Sequence, residues 1–143
     1  MNAILTLSLC AVFLTLSILH FYWAFGGKWG FAEALPTNEK GERILNPKPI
    51  ESTVVGFGLL LFAIFYFTKG GWVTIELPEW VWKYVGWMIS GIFIFRSIGD
   101  FKYVGFFKKI KNTPFGKMDT KYYAPLCLVV GLLGIIVELS AWT

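Results

Sequence analysis

The sequence is poor in the side chains that most catalytic and metal sites need. It has one histidine and two cysteines, and Asp, Glu, Lys and Arg together make up 15% of its 143 residues. One histidine cannot build a multi-histidine metal site, and two cysteines cannot make a disulfide scaffold. No Cys-x-x-Cys, nucleophile elbow, Walker loop or dinucleotide fingerprint occurs. Soluble domains have about 25% charged and about 45–50% apolar residues. Here the hydrophobic set reaches 56% and the aromatics 19%, which argues against a water-soluble globule. Disorder is excluded, because disordered chains are poor in apolar residues. A two-domain enzyme is excluded by length, since one domain takes roughly 100–200 residues. What remains is a small integral membrane protein with a single domain over residues 1–143 and no expected cofactor, metal or nucleic-acid partner.

A transmembrane helix needs about 20 mostly apolar residues, with a range of roughly 17–25. Four stretches meet that length, at 3–25, 52–68, 81–99 and 122–142. The first lacks the basic leading region and cleavage site of a signal peptide, so it reads as a retained helix. The loops 26–51 and 100–121 lie on one face, and basic residues gather there. With the adjoining span ends, that face holds Lys28, Lys40, Arg43, Lys48, Arg96, Lys102, Lys108, Lys109, Lys111, Lys117 and Lys121. The other face has only Lys69 and Lys83 of the 13 basic residues. By the positive-inside rule, the two basic loops are cytoplasmic and both termini face outward. The net charge of +4 is then topological, with anionic membrane lipid as its partner. Lys102, Lys108, Lys109 and Lys111 alternate with aromatic and aliphatic residues, which suits a segment lying on a lipid surface. Trp72, Trp80, Trp82 and Trp87 sit around the short outer loop as interfacial anchors.

Each span has one small or polar stripe at helical spacing. The stripes are Thr6, Cys10, Phe13, Ser17, His20 and Ala24; Ser52, Gly56, Leu59, Ala63 and Tyr66; Lys83, Gly86, Ser90, Phe93, Ser97 and Asp100; and Ala124, Cys127, Gly131, Gly134 and Glu138. Helices in lipid associate through close packing and hydrogen bonds, so their interfaces favour small residues. The stripes predict an all-α fold, an integral membrane antiparallel four-helix bundle. Ser17 and Ser90 are expected to bond their own backbone four residues back. Cys10 and Cys127 enter from opposite faces, so their depths differ by roughly 10 Å at 1.5 Å per residue, and they are not expected to pair. Lys83 and Glu138 fall at the outer end of their stripes and are expected to pair.

Unusual residues concentrate at the cytoplasmic ends of the spans. The patterns are His20-x-x-Trp23-x-x-Gly26-Gly27-x-Trp29-Gly30, then Arg96-x-x-Gly99-Asp100-x-x-x-x-Gly105, then Asp119-Thr120-x-x-Tyr123-x-Pro125-Leu126. In order and spacing they resemble the DUF3995 family of small bacterial four-span membrane proteins, over nearly the whole chain. The resemblance implies a multi-pass protein of a bacterial inner (plasma) membrane. It implies no activity, since the family is uncharacterised. One departure is Ala124 before Pro125, where the family pattern suggests serine.

The candidate ligand-binding residues are His20, Trp23, Gly27, Lys28, Trp29, Arg96, Asp100, Asp119 and Tyr123. Histidine is the residue type that exchanges a proton near neutral pH, and His20 lies on the inward stripe. Arg96 and Asp100 are an i, i+4 pair in the less favourable order, and Asp100 meets the negative end of its helix dipole. Asp100 therefore either gains a further partner, such as His20, Lys28, Lys102 or the amides of the Gly26-Gly27 turn, or caps loop 3 while Arg96 snorkels to lipid phosphate. Those amides could also form an anion-binding nest, although a helix C-cap explains the glycines equally well.

Three functions fit these residues. One is binding or moving an amphiphile or anion at the cytoplasmic mouth, where transport would call for a homodimer because four helices make a thin wall. Another is a structural or accessory subunit held by a His20–Asp100–Arg96 clasp. The third is an intramembrane enzyme on a lipid or quinone-like substrate, with His20 as base and Asp100 or Asp119 orienting it. A clasp predicts mutual contact without a cavity, and a binding site predicts an open pocket.

Overall fold

Pro49 and Pro114 each open a helix, where a missing N–H costs nothing and a fixed φ helps. Beside Pro49, Glu51 reaches back to accept from the Lys48 amide at 3.1 Å. Beside Pro114, the Thr113 hydroxyl caps the Gly116 amide at 2.9 Å. The computed structural model describes residues 2–31, 34–38, 40, 42–43, 48–99 and 102–142. These are helical apart from loops, with no strand among the described residues. The helices are α1 (Asn2–Ala24), α2 (Pro49–Lys69), α3 (Gly86–Ile98), α4 (Pro114–Met118) and α5 (Ala124–Trp142).

Wider π turns at Val81–Val85 and Asp119–Tyr123 run directly into α3 and α5. The second has an evident cause. Pro125 offers no amide and its ring crowds the carbonyl four residues back, and the Ala124 amide bonds Asp119 O instead. Among the described residues, three helices are long and apolar enough to cross a membrane, Ala3–Ala24, Pro49–Lys69 and Pro114–Ala141.

The helices bury small and polar residues alongside a few large apolar ones, and they leave many large apolar side chains exposed. On α1, Thr6, Leu9, Phe13 and Ser17 are buried, while Ile4, Leu7, Leu14 and Ile18 are exposed. On α2, all of Ser52, Gly56, Leu59, Ala63 and Tyr66 are buried. Ser90 of α3 lies against Gly131 and Gly134 of α5, and Gly86 of α3 lies against Glu138. So many exposed large apolar side chains are unlike the surface of a soluble protein, where contiguous apolar patches are small. Phe13 fills the middle, with rings of Phe93, Phe62 and Tyr66 at 5.2, 5.6 and 5.7 Å. α1 packs mainly on α2 and α3 on α5, with α1 also touching α5. Both cysteines are free.

Two expected contacts are replaced. Ser90 does bond Gly86 O of its own helix, at 2.9 Å. Ser17 instead crosses to Gly56 O of α2, at 2.7 Å. Without a side chain at Gly56, the α2 backbone comes within reach. Glu138 is buried, and the cation that reaches it is Lys69, at 3.1 Å, where Lys83 was expected. Side chains lean toward the N-terminus of their own helix. Lys83, at the start of its helix, therefore leans out of the bundle. Lys69, at the end of α2, leans back into it, with its ammonium 5.5 Å over Phe65. Of the tryptophans, Trp72, Trp80 and Trp87 are exposed, and Trp82 stacks on Phe65 at 5.6 Å.

Candidate functional site

Two of the sequence motifs meet in a buried polar latch at the motif end, where α1 and α3 finish and α2 and α4 begin. Gly99 and Gly105 both have φ +88°, and a Cβ on either would overlap backbone of the strip it crosses. This crossing folds the chain after α3 back on itself, and the Phe106 amide bonds Ser97 O at 2.8 Å. The Gly105 amide then reaches Asp119 Oδ2 at 2.7 Å. Asp119 is fully buried. It also accepts from Arg96 Nη2 at 3.1 Å and lies 3.3 Å from the Lys108 ammonium. Lys108 is itself buried and donates to Gly105 O at 3.0 Å and to the Thr120 hydroxyl.

Among the described residues, two cations thus share the one carboxylate of the latch. Arg96 Nη1 is buried and has no hydrogen-bond partner among the described residues. Asp100, the other candidate partner, lies outside the described residues.

Beside the latch is a chamber of about 700 Å³. Its walls are mostly apolar, from Leu16, Leu19, Val55, Leu59, Phe93 and Leu126. The polar groups at its margin are His20, Glu51, Ser52, Arg96, Tyr123 and Cys127. An apolar cavity of about 300–1,000 Å³ with a few convergent polar groups is the usual form of a small-molecule site. His20 Nδ1 is 2.7 Å from Leu16 O, and its ring packs edge-on to Trp23 with centroids 5.0 Å apart. A carbonyl oxygen only accepts, so Nδ1 carries the proton, and in the neutral ring Nε2 is an acceptor.

A second cavity of about 540 Å³ adjoins the first, and Trp23, Phe31 and Ser52 line both. Its other lining includes Gly26, Gly27, Lys28 and Arg43. The turn that forms it is tied down by its aromatics. Trp23 Nε1 donates to Trp29 O at 2.8 Å, and the Trp29 amide donates to the Tyr22 hydroxyl at 3.3 Å. The Tyr22 ring occupies the space a Cβ on Gly27 would need. The Gly26 and Gly27 amides bond Trp23 O and Tyr22 O, at 3.1 and 2.9 Å. They cap α1 and are not free to form an anion nest.

Of the candidate residues, His20, Trp23, Arg96 and Tyr123 border the larger chamber, and Trp23, Gly27 and Lys28 the smaller. Trp29 contributes its carbonyl, while its ring is exposed. Asp119 lies in the latch and holds Arg96. The expected clasp is not formed by its described members, since His20 bonds Leu16 O and Arg96 bonds Asp119. Nor does Asp119 orient His20, since its oxygens are taken by Arg96, Lys108 and the Gly105 amide.

The sequence missed Lys108 as a latch residue. It reads as one of several loop lysines on lipid, a reading that fits the exposed Lys102, Lys109 and Lys111 but not this one. It also missed Arg43, Glu51 and Ser52, which look like a solvated loop and an ordinary helix start.

No curated protein and no solved structure matches the chain. A family described as a protein of unknown function, DUF3995, matches residues 13–134. The match takes in the first motif, the crossing glycines and the Asp119 latch, and the chain belongs to the DUF3995 family.

Proposed function

We propose that the protein is a four-span membrane protein that binds an amphiphile at one end of an antiparallel helix bundle. Contacts between α1 and α2 support the antiparallel arrangement. Phe13 of α1 meets Tyr66 near the end of α2, while Ser17 and Phe21, further along α1, meet Gly56 and Phe57 in the first half of α2. α3 with its π turn supplies the fourth span. The basic residues near the chamber support, by the positive-inside rule, a reading with that end on the cytoplasmic side of a plasma membrane and both termini outside.

The observation that carries the binding reading is the apolar chamber beside Arg96, whose buried Nη1 lacks a protein partner among the described residues. An unpaired buried guanidinium N–H is costly, and a ligand carbonyl or anion would satisfy it. The hydrocarbon part of the ligand lies along Leu16, Val55, Leu59 and Phe93. His20 Nε2 accepts from a ligand hydroxyl. The accessory-subunit reading is favoured by the latch, which gives the Arg96, Gly105 and Asp119 motifs a purely structural task. The two readings differ over the chamber.

Native mass spectrometry after gentle maltoside extraction tests the proposal and reads the oligomeric state as well. A small-molecule adduct on the wild type that is lost in Cys127→Trp, a substitution filling the chamber, is the expected result. A wild type free of adducts, or one whose adduct survives in the filled variant, overturns it.

A further inference from the structure

We infer that the smaller cavity is the head-group subsite for the same ligand, and that the ligand is a single-chain amphiphile ending in a phosphate-class anion. The inference rests on the chamber reading above. The cavities are neighbours that share Trp23, Phe31 and Ser52, so one molecule can occupy both. The larger is bounded mainly by hydrocarbon and has carbonyl and hydroxyl partners in Arg96 and His20. The smaller has Lys28 and Arg43 and no carboxylate among its described lining residues.

Neither Lys28 nor Arg43 forms an ion pair among the described residues. Two like charges on one small cavity repel, and a shared anion relieves this. Arg43 is held in position by Phe31, with its guanidinium 5.5 Å over the ring. Phe31 in turn packs against Trp23 at 5.9 Å. The Gly26 and Gly27 amides are occupied in capping α1, and the charged groups at this cavity are the side chains of Lys28 and Arg43. Guanidinium and ammonium groups together suit a doubly charged phosphate oxyanion. Read along the two cavities, the ligand has a hydrocarbon chain, then carbonyl and hydroxyl groups, then a phosphate. That is the chemistry of a lysophospholipid with an unsubstituted phosphate.

The test uses full-length protein in maltoside micelles, with occupancy read by native mass spectrometry. The probes are 1-oleoyl lysophosphatidate, uncharged 1-oleoylglycerol and inorganic phosphate. The variants are Lys28→Glu/Arg43→Glu and the milder Lys28→Gln/Arg43→Gln. Both side chains are exposed, so the fold is retained, as far-UV circular dichroism will verify. The expected result is a preference of at least about tenfold for lysophosphatidate over oleoylglycerol, the scale of one charge-assisted hydrogen bond. Both variants lose that preference and still bind oleoylglycerol. Equal binding of the two lipids by the wild type, or a preference that survives both variants, overturns the head-group subsite alone. Displacement of lysophosphatidate by an equal concentration of inorganic phosphate overturns it as well, since the anion would then bind without its chain. Failure of every oleoyl probe to bind overturns the chamber reading itself.

Discussion

The two ends of the bundle both bury a carboxylate, yet they are built differently. At the far end Glu138 meets one cation, Lys69, and presses on Gly86 so closely that a Cβ there would overlap the carboxylate. At the motif end Asp119 meets two cations and an amide, and a chamber of about 700 Å³ lies alongside. The far end is balanced in charge and closed. Among its described residues, the latch at the motif end has two cations to one carboxylate, and open space lies beside it. Buried ion pairs are weak evidence for stability, because desolvation offsets their attraction. What separates the ends is therefore the space and charge left over, and the proposed ligand site rests on that difference.

The largest effect expected on stability is from Asp119→Ala. It strands the buried Lys108 and leaves Arg96 and the Gly105 amide without their acceptor. Removing one partner of a buried pair costs about 3–5 kcal/mol, so thermal unfolding in detergent should show a loss at or above that range. Lys69→Ala should cost less, because Lys69 is 12% exposed and water reaches the site it vacates. The double variant Lys69→Met/Glu138→Leu should be near neutral, since apolar replacements of a buried pair often are. Recovery in this double variant, with ligand retention intact, would confirm that the far end is only structural.

The same comparison can be pressed by adding volume. Gly86→Ala at the closed end should cost about 1–3 kcal/mol, as overpacking does. Cys127→Phe at the open end adds far more volume and should cost less than Gly86→Ala in the same unfolding assay. The reverse order would mean the chamber is not hollow in the folded protein. The smallest effect is Ser17→Ala, which removes the bond to Gly56 O and should cost about 1 kcal/mol.

Much of the helix architecture was legible because small residues recur at helical spacing. Every residue of the second stripe is buried, and so are Gly86, Ser90, Gly131, Gly134 and Glu138. Where the rod containing α5 begins was less legible. Asp119 and Lys121 interrupt the apolar run, so hydropathy starts the span at 122, while Pro114 and Thr113 start the helix earlier. That displacement kept Asp119 in a loop and hid its place near a helix N-terminus. Ion partners were the least legible, as Lys69 in place of Lys83 and Lys108 among its loop neighbours both show. Which lysine arrives depends on side-chain direction and on the Gly99–Gly105 crossing, and neither is a pattern in composition. The first motif was placed at a mouth of the bundle, and its His20, Trp23, Gly27 and Lys28 do border the two cavities.

Cys127 gives the most direct reading of the central claim, because its thiol borders the chamber and the other cysteine can be removed as Cys10→Ala. In that background, the rate at which a small permeant thiol reagent modifies Cys127 should fall several-fold when 1-oleoyl lysophosphatidate is added in maltoside micelles. An unchanged rate at saturating probe would mean that no amphiphile enters the chamber, and would contradict the account.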